Sequence, residues 1–337
     1  MNSLNNKTTM HKAGFVSIIG NPNAGKSTLM NALLGEELSI TSPKAQTTRE
    51  KVLGILNGED YQIVFSDTPG ILNPHYKLQE SMLKSIENSL DEADVFLLIT
   101  DVGEDFKNPE IIERVQKKQM PILLLINKID TVTQEIALQK VAEWKEKFPQ
   151  AEVIPISALH RFQTERIVEL ILQHLPENPP YYPKDELSDR NLRFFAAETI
   201  RKHILLQYQQ EIPYSVQVEI EYYKEMEGLD RIGAVIYVEK ESQKGILIGK
   251  GGAALKKVGM AARKEFEKFL GKKLFLDLRV KVLKNWRNDD RLLQRFGYDL
   301  AKRGNNRPSA AELSEQAEQA LMEEMARRQT KNPASEA

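Results

Sequence analysis

The segment Gly20 to Thr28, GNPNAGKST, constrains the fold of this chain more than any other stretch. It matches the pattern G-x-x-x-x-G-K-[ST] and lies between an apolar run at 15–19 and a helix-like pattern over 26–35. Glycines at this spacing let backbone N–H groups surround phosphate oxygens, and the N-terminus of the following helix adds a partial positive charge. The segment therefore predicts a phosphate-binding loop between a buried strand and a helix.

The rest of residues 15–175 alternates in the same way between strands and helices. Asn57-Gly58 separates two apolar runs and predicts a hairpin. Further strands are predicted at 95–99, 122–126 and 153–156, and helices near 78–92, 108–119, 133–148 and 163–174. Apolar strands that alternate with helices form a mostly parallel sheet with helices on both faces. We therefore predict an α/β domain over 12–176, with one antiparallel strand at the edge of its sheet.

The pattern changes after the segment LPENPPYYPKDELSDR, which contains four prolines and predicts a linker at 177–190. Beyond it, the sequence predicts a small α+β domain over 191–300. Its elements are a helix over 191–209, strands at 214–222 and 232–239, a glycine-rich loop, a helix over 252–270 and a strand at 273–283. The Ala-, Glu- and Gln-rich remainder, 301–337, is predicted to be a mobile tail.

Charge and composition limit what this chain binds and where it works. The net charge is -1, but residues 244–287 carry thirteen Lys or Arg against three acidic residues, a local net charge of +10. Such segregation favours an anionic partner over a merely solvated basic face. The absence of cysteine suits a reducing compartment, and the longest apolar runs are too short to span a bilayer. We therefore expect a cytoplasmic protein.

The motif SDTPG follows a predicted strand at its carboxyl end, where sheets of this kind bind ligands. It places Asp67 beside a Mg²⁺ ion held by Ser27, and it turns the Gly70 N–H towards a γ-phosphate. Lys26 of the phosphate loop is expected to reach the β and γ oxygens. These residues predict that the phosphate loop binds a nucleoside triphosphate with its metal ion.

Two further motifs, INKID and ISAL, follow the next predicted strands and select the base. Asp130 is placed to accept hydrogen bonds from guanine N1–H and from the guanine amino group. Adenine offers neither donor, so an adenine nucleotide would leave a carboxylate unpaired at a cost of about 1–3 kcal/mol. Residues 156–159 bring backbone near guanine O6. The motifs together predict a guanine-nucleotide-binding domain.

The order and wording of these motifs resemble the Era branch of the translation-factor-like GTPases, and SPKAQTTREKVLGI is similar to that family's first switch. The resemblance implies that Thr48, with Thr47 as the alternative, closes on Mg²⁺ when GTP is bound. It also implies that Asn23 helps to bind K⁺ near the β and γ phosphates. Ile71 stands where Ras-type proteins carry a water-positioning glutamine, so slow intrinsic hydrolysis of GTP to GDP is expected.

The predicted site residues follow from these motifs. Catalytic roles are predicted for Lys26, Thr48, Asp67 and Gly70, and Mg²⁺ ligands at Ser27, Thr48 and Asp67. The predicted nucleotide-binding residues are Gly20, Asn21, Asn23, Ala24, Gly25, Lys26, Ser27, Thr28, Asp67, Asn127, Lys128, Asp130, Ser157, Ala158 and Leu159.

A second glycine-rich loop, LIGKGG, lies inside the basic segment and matches the G-x-x-G loop of a KH domain. The order of predicted elements around it is that expected of a type II KH domain, and no parallel βαβ unit surrounds it, which excludes a dinucleotide-binding loop. Glycines there let the backbone approach sugar–phosphates of single-stranded RNA, and lysines add electrostatic attraction. The predicted RNA-binding residues are Ile248, Gly249, Lys250, Gly251, Gly252, Lys256 and Lys257.

The combination of a GTPase domain and one type II KH domain resembles the Era family over residues 12–300. The segment NWRNDDRLLQRFGY is similar to the family's C-terminal end. The resemblance implies a monomeric GTP-hydrolysing switch that binds the 3′ end of 16S ribosomal RNA and assists assembly of the small (30S) ribosomal subunit. A peripheral location on the cytoplasmic face of the membrane is left open.

Two other functions stay in competition with this one. The first is an RNA-binding protein whose nucleotide site is a relic, although Lys26, Ser27, Asp67 and Asp130 are all intact. The second is a GTPase partner of an RNA-modifying enzyme, a class that usually carries catalytic cysteines or a methyl-donor or folate site. The lack of cysteine disfavours the second.

Overall fold

The computed structural model of this chain describes residues 11–298 and contains two units. The predicted tail at 301–337 lies outside the described residues. The elements of the first unit are β1 (Lys12–Gly20), α1 (Lys26–Leu34), β2 (Val52–Asn57), β3 (Tyr61–Asp67), α2 (Lys77–Glu92), β4 (Val95–Asp101), α3 (Pro109–Lys117), β5 (Ile122–Asn127), α4 (Gln134–Lys147), β6 (Glu152–Pro155) and α5 (Thr164–His174).

The sheet of the first unit has the strand order β2-β3-β1-β4-β5-β6 over the described residues. All neighbours pair in parallel except β2, which runs antiparallel to β3 with Val52 opposite Asp67. The prediction of one antiparallel edge strand is confirmed. Because helices cover both faces, β5 is buried along its whole length and the core divides into two apolar layers. The carboxyl ends of the parallel strands meet at one edge, where the phosphate loop lies.

The proline-rich segment after α5 packs against the first unit. The Tyr181 ring lies 4.9 Å from that of Phe15, measured between centroids, and Gln62 Oε1 accepts the Tyr181 N–H at 2.7 Å. Further along, the carbonyl of Leu187 accepts the N–H of Ile55 on the edge strand at 2.9 Å. A partner for this N–H lowers the exposure of an otherwise unpaired strand edge.

The second unit is α+β, as predicted. Its elements are α6 (Leu192–Gln207), α7 (Ile212–Ser215), β7 (Gln217–Lys224), β8 (Leu229–Val238), α8 (Glu241–Ile248), α9 (Ala253–Leu270), β9 (Lys273–Val282) and α10 (Asp290–Arg295). The sheet order is β7-β8-β9 over the described residues, with β7 antiparallel and β9 parallel to β8. The β8–β9 pair is parallel because α8 and α9 form the crossover between them. The expectation that no parallel βαβ unit surrounds the glycine-rich loop is therefore wrong, because the loop lies inside this crossover. Helices α6 and α9 pack on one face of the sheet.

Two elements of the second unit differ from the sequence-based expectation. Helix α8 was not predicted, since the glycine-rich loop was expected directly after β8. The helix is short, has Gly245 in its interior and buries only Leu247, so it shows little apolar periodicity. Strand β7 begins at Gln217 and not at the predicted position 214, because residues 212–215 form α7.

The C-terminal end of the described chain joins the two units. Trp286 and Leu293 lie in one apolar cluster with Leu78 and Met82 of α2 and with Tyr298. Trp286 is completely buried, and its Nε1 donates to the carbonyl of Ser215 at 3.0 Å. Trp144 of the first unit is also buried, so both tryptophans are packing residues.

Candidate functional site

The phosphate loop opens a cleft of about 760 Å³ at the carboxyl edge of the sheet. Asn23 and Gly25 have positive φ angles of 64° and 102°. A Cβ atom on Gly25 would lie 2.2 Å from Asn127 Nδ2, so glycine is required there for its backbone angle and for space. The cleft is lined by Pro22, Asn23, Gly25, Lys26, Ser27, Thr28, Ile40, Thr41, Ser42, Pro43, Gln46, Thr47, Thr48, Gly70, Asn127, Lys128, Asp130, Thr131 and Leu159.

Three oxygen-bearing side chains meet in the cleft at the position predicted for Mg²⁺. Ser27 Oγ lies 2.8 Å from Asp67 Oδ2 and 2.9 Å from Thr48 Oγ1, and Thr48 Oγ1 lies 3.2 Å from Asp67 Oδ2. Asp67 is fully buried, and its Oδ1 has no hydrogen-bond partner among the described residues. Hard cations such as Mg²⁺ bind clusters of oxygen ligands, so these residues fit that ion. Thr47 instead turns its hydroxyl to the carbonyl of Lys44 at 2.6 Å.

Lys26 is buried beneath the loop, with its Nζ donating to the carbonyls of Asn21 at 2.8 Å and Gly20 at 3.1 Å. Burial lowers the pKa of Lys26 to about 8, although nearby Asp67 acts in the opposite direction. Burial also raises the pKa of Asp67, against the effects of Lys26 and of neighbouring hydroxyl groups. Phosphate oxygens would supply the anionic partner that favours the charged ammonium.

The opposite end of the cleft contains the residues predicted to select the base. Asn127 Nδ2 donates to the carbonyl of Ala24 at 2.8 Å, and its Oδ1 accepts the Ala158 N–H at 2.9 Å. One side chain therefore joins the phosphate loop to the loop after β6. Asp130 is partly exposed, with an exposed side-chain fraction of 27 %, and lines the cleft, as does the exposed Leu159. The Asp130 carboxylate is therefore accessible to the base of a nucleotide.

Some predicted residues lie behind the wall of the cleft. Gly20, Ala24, Asp67, Ser157 and Ala158 do not line it, and Asp67 contacts it through Ser27 and Thr48. The Asn21 side chain points elsewhere. It donates to the carbonyl of Asp105 at 2.8 Å and accepts the Lys107 N–H at 3.0 Å, so it orders the loop after β4.

The γ-phosphate end lacks a side chain that could orient water at the position after Gly70. Ile71 is completely buried among apolar residues of the core, and its N–H donates to the carbonyl of Gly20 at 3.0 Å. A Cβ atom on Gly70 would come within 2.7–2.9 Å of Pro22 atoms. The backbone of Gly70 is thus held against the phosphate loop.

The second glycine-rich loop joins α8 to α9 and is a candidate nucleic-acid interface. Gly249, Gly251 and Gly252 have φ angles of 70°, 58° and 80°, a region that residues with side chains rarely adopt. A Cβ atom on Gly249 would also lie 2.6 Å from that of Ala254. The loop therefore exposes backbone, and each of the two helices that it joins carries an exposed apolar side chain, Ile246 on α8 and Met260 on α9.

The basic residues of the second unit divide into paired and unpaired groups. On β9, Lys281 pairs with Glu221 at 3.0 Å, and just before β9 Lys272 pairs with Asp230 at 2.5 Å. Lys250, Lys256 and Lys257 are exposed and have no hydrogen bond or ion pair among the described residues. The cations predicted to attract RNA are thus the ones left available near the loop.

Sequence reasoning missed Gln46, which lines the nucleotide cleft, and the buried arginines that contact the loop carrying it. Gln46 has a positive φ of 57° and lines the cleft beside Thr48. Arg49 and Arg201 are both almost completely buried where the two units meet. Two basic residues, Lys44 and Arg49, flank the threonines in the sequence. The local sequence around Arg49 does not predict that this residue is buried, because its hydrogen-bond acceptors lie more than 160 positions away along the chain.

Comparison with protein families matches each unit to one model. Residues 15–128 match a family described as "50S ribosome-binding GTPase". Residues 211–287 match the KH domain family.

Known proteins resemble the chain across both units. It is 45 % identical to the GTPase Era of Clostridium acetobutylicum over 296 residues, covering 87 % of this chain and 100 % of the relative. The GTPase Era of Clostridium kluyveri is also 45 % identical, over 292 residues, with coverage of 86 % and 100 %.

Solved structures give the same result. The crystal structure of Era in complex with MgGDPNP and nucleotides 1506–1542 of 16S ribosomal RNA superposes with a TM-score of 0.83 at 40 % identity, covering 86 % of this chain and 100 % of that one. An Aquifex aeolicus Era variant bound to GDP·AlF4⁻ gives a TM-score of 0.82 with the same identity and coverage.

Proposed function

Because the chain belongs to the Era family of GTPases, we propose that it is a GTP-hydrolysing switch that binds the 3′ end of 16S ribosomal RNA and assists assembly of the small ribosomal subunit. One observation carries the proposal. A cleft of the size and lining expected for a nucleoside triphosphate, with Ser27, Thr48 and Asp67 in mutual contact, occurs in the same chain as an exposed glycine loop. The three lysines predicted to bind RNA near this loop have no ion pair within residues 11–298. Structural similarity to an Era complex with nucleotide and RNA supports the proposal.

In this function the nucleotide binds with its phosphates over the phosphate loop. Lys26 contacts the β and γ oxygens, and the Gly70 N–H donates to the γ-phosphate. Ser27, Thr48 and Asp67, whose oxygens are in mutual contact, would hold Mg²⁺. When bound, Mg²⁺ neutralises charge on the β and γ oxygens. Asp130 accepts the guanine N1–H and amino hydrogens.

Hydrolysis is slow in this proposal, because buried Ile71 cannot orient the attacking water. Asn23 lies at the rim of the cleft with its side chain exposed, and we assign to it a K⁺ ion near the β and γ phosphates. A cation at that position would stabilise the charge that develops in the transition state.

RNA binds at the loop between α8 and α9. The backbone of Gly249 to Gly252 contacts phosphates, Ile248 contributes apolar surface, and Lys250, Lys256 and Lys257 attract the strand. The proposed division of the chain is a GTPase domain at 12–176, a linker at 177–190 and a KH domain at 191–300.

The protein is proposed to act as a monomer in the cytoplasm. No helix within residues 11–298 is long and apolar enough to cross a membrane. Any membrane contact would therefore have to be peripheral for this part of the chain.

The base assignment is tested with Asp130→Asn. The variant is expected to lose about tenfold or more in GTP affinity and to gain affinity for xanthosine triphosphate, whose 2-oxo group accepts where guanine donates. Nucleotide titration measures both. A variant with full GTP affinity and no gain for the xanthine nucleotide would contradict the guanine pocket.

The whole function is tested by crosslinking the protein to cellular RNA and mapping the bound fragments. Enrichment of the 3′ end of 16S ribosomal RNA is expected. RNA binding without any nucleotide binding would favour an RNA-binding protein with a relic nucleotide site. Bound fragments from a modified RNA, recovered together with a modifying enzyme, would favour a GTPase partner of that enzyme.

A further inference from the structure

Arg49, the residue after Thr48, is buried where the two units meet. Its Nη1 donates to the carbonyl of Val216 at 2.6 Å, and its Nη2 lies 3.2 Å from the carbonyl oxygens of both Pro213 and Tyr214. These acceptors belong to α7 and to the residue that ends it. A cation beside the last carbonyls of a helix is favourably placed. These three carbonyls of the second unit therefore form a binding site for the Arg49 guanidinium.

This carbonyl site holds Arg49 without a countercharge from the described residues. No carboxylate pairs with it among the described residues, and its Nε has no hydrogen-bond partner there. The Trp286 ring is 5.9 Å from the guanidinium carbon. Removing a cation from water is costly, and carbonyl bonds offset only part of that cost. The contact is therefore weaker than a well-paired ion bridge would be.

A second arginine contacts the same loop from the opposite direction. Arg201 of α6 is 2 % exposed and donates to the carbonyls of Gln46, at 3.3 Å, and Thr47. Its Nε is fixed by Glu198 Oε1 at 2.7 Å. These hydrogen bonds can form only when the backbone of residues 46 and 47 keeps its observed conformation, in which Gln46 has a φ of 57°.

Lys44 adds a third contact. Its Nζ donates to the carbonyls of Leu205 and Tyr208, at the end of α6. We call Lys44, Arg49 and Arg201 the switch clasp. Its members act on residues both before and after Thr48, so they restrain the position of that hydroxyl beside Ser27 and Asp67.

We propose that Arg49 and Arg201 are positioning residues for Thr48, and that docking of the second unit through the switch clasp makes the cleft prefer a nucleoside triphosphate over a diphosphate. The inference rests on the proposed function, in which Thr48 binds the metal only with the triphosphate. By thermodynamic linkage, the triphosphate favours the docked arrangement to the same degree.

The test measures affinities of the full chain for GDPNP and GDP in Mg²⁺, by fluorescence titration of labelled nucleotides. Arg49→Met keeps an unbranched side chain as far as the position of Nε but removes the charge and the donors. We expect about tenfold weaker GDPNP binding, within the range of ordinary coupling between two sites. GDP binding should change less than about twofold.

Two comparisons separate positioning from a general loss of structure. Arg193→Gln is the matched control, because Arg193 lies on the same helix as Arg201 and donates to a carbonyl of its own unit, that of Ile220, at 3.3 Å. It should leave both affinities unchanged. In a Thr48→Ala background, Arg49→Met should have no further effect on GDPNP binding, because residues that act through one another are not additive.

Two results would overturn the inference. The first is an unchanged ratio of GDPNP to GDP affinity in Arg49→Met, which includes equal losses of both affinities. The second is additivity with Thr48→Ala. If Arg49→Met does not fold, Arg201→Gln must show the same selective loss. A wild-type chain that binds neither nucleotide overturns the proposed function together with this inference, whereas unchanged selectivity in a chain that binds both overturns the inference alone.

Discussion

Two buried charged residues beside the phosphate loop, Lys26 and Asp67, are suited to bind phosphate groups and a metal ion. Lys26 and Asp67 are both buried beside the cleft, and their unusual pKa values arise mainly from removal from water. Asp67 Oδ1 has no hydrogen-bond partner in the described part of the chain, and the Lys26 ammonium is held by backbone carbonyls. A metal ion and phosphate groups would supply partners for these atoms, so their binding would relieve a cost already present in the fold.

Asn23 is the residue on which the K⁺ proposal depends. Asn23→Gly removes its side chain without strain, because glycine tolerates the φ of 64° at that position. We expect wild-type hydrolysis to be faster in K⁺ than in Na⁺ at equal ionic strength. In K⁺ the variant should lose about tenfold or more, as when one charge-stabilising group is removed. Phosphate release measures the rates, and equal wild-type rates in the two salts would contradict the assignment.

At the scale of elements, the packing of α6 against α9 determines the position of the glycine loop in the second unit. Helices α6 and α9 pack through apolar residues such as Ile200 and Val258. A charged contact supplements this packing, because Glu265 of α9 lies 2.8 Å from Lys202 Nζ and 2.9 Å from His203 Nε2. The same α9 begins directly after the glycine loop, so its anchoring fixes the loop.

The charged contact predicts a pH dependence of stability. Hydrogen bonds from His203 and Lys202 lower the pKa of Glu265 to about 2, against the effect of burial. A lowered folded-state pKa means that the carboxylate stabilises the fold above its ordinary value of 4.5 and loses this effect as pH falls towards 2. Glu265→Gln should reduce the unfolding free energy by about 1–2 kcal/mol near pH 7. Urea unfolding should show a smaller difference at pH 3, and a difference independent of pH would contradict the assignment.

The glycine loop is tested by adding negative charge. Lys250→Asp with Gly251→Asp should weaken binding of single-stranded RNA from the 16S 3′ end by about a hundredfold and flatten its salt dependence, as phosphate contacts are lost. Aspartate tolerates the left-handed backbone at Gly251, and its Cβ would meet nothing within 4 Å. Filter binding at several salt concentrations measures both effects.

The matched control is Lys145→Asp with Gln150→Asp, which makes the same charge change at exposed positions of the first unit. It should bind RNA nearly as the wild type does. A loop variant that folds and keeps its RNA affinity would show that the basic segment binds by another surface.

On the scale of the whole molecule, the two units share a junction that is part apolar and part polar. Trp286 lies at its centre, with its ring 5.7 Å from that of Phe296 in an edge-on arrangement. Trp286→Ala should cost about 3–5 kcal/mol and should split calorimetric unfolding into two transitions. Trp144→Ala is the control, because Trp144 packs with Phe106 and Phe148 inside the first unit. It should destabilise without splitting the transition, and identical profiles would contradict a coupling role for Trp286.

Local patterns in the sequence determined the elements and most of the nucleotide site. A strand, a loop of defined spacing and a helix are near neighbours along the chain, so their geometry is set by short-range steric and hydrogen-bonding rules. Parallel strands then bring Asp67 and Asp130 to one edge. Helix α8 was missed because it has too few buried residues to show a period.

Only the tertiary structure decided which basic residues are available and how Thr48 is held. Lys281 and Lys250 are equally basic in sequence, but one pairs with Glu221 across the sheet and the other has no partner among the described residues. Likewise, Arg49 is an ordinary basic residue until α7 supplies carbonyl acceptors from more than 160 positions away. Such contacts depend on how distant elements pack, and no local pattern encodes that packing.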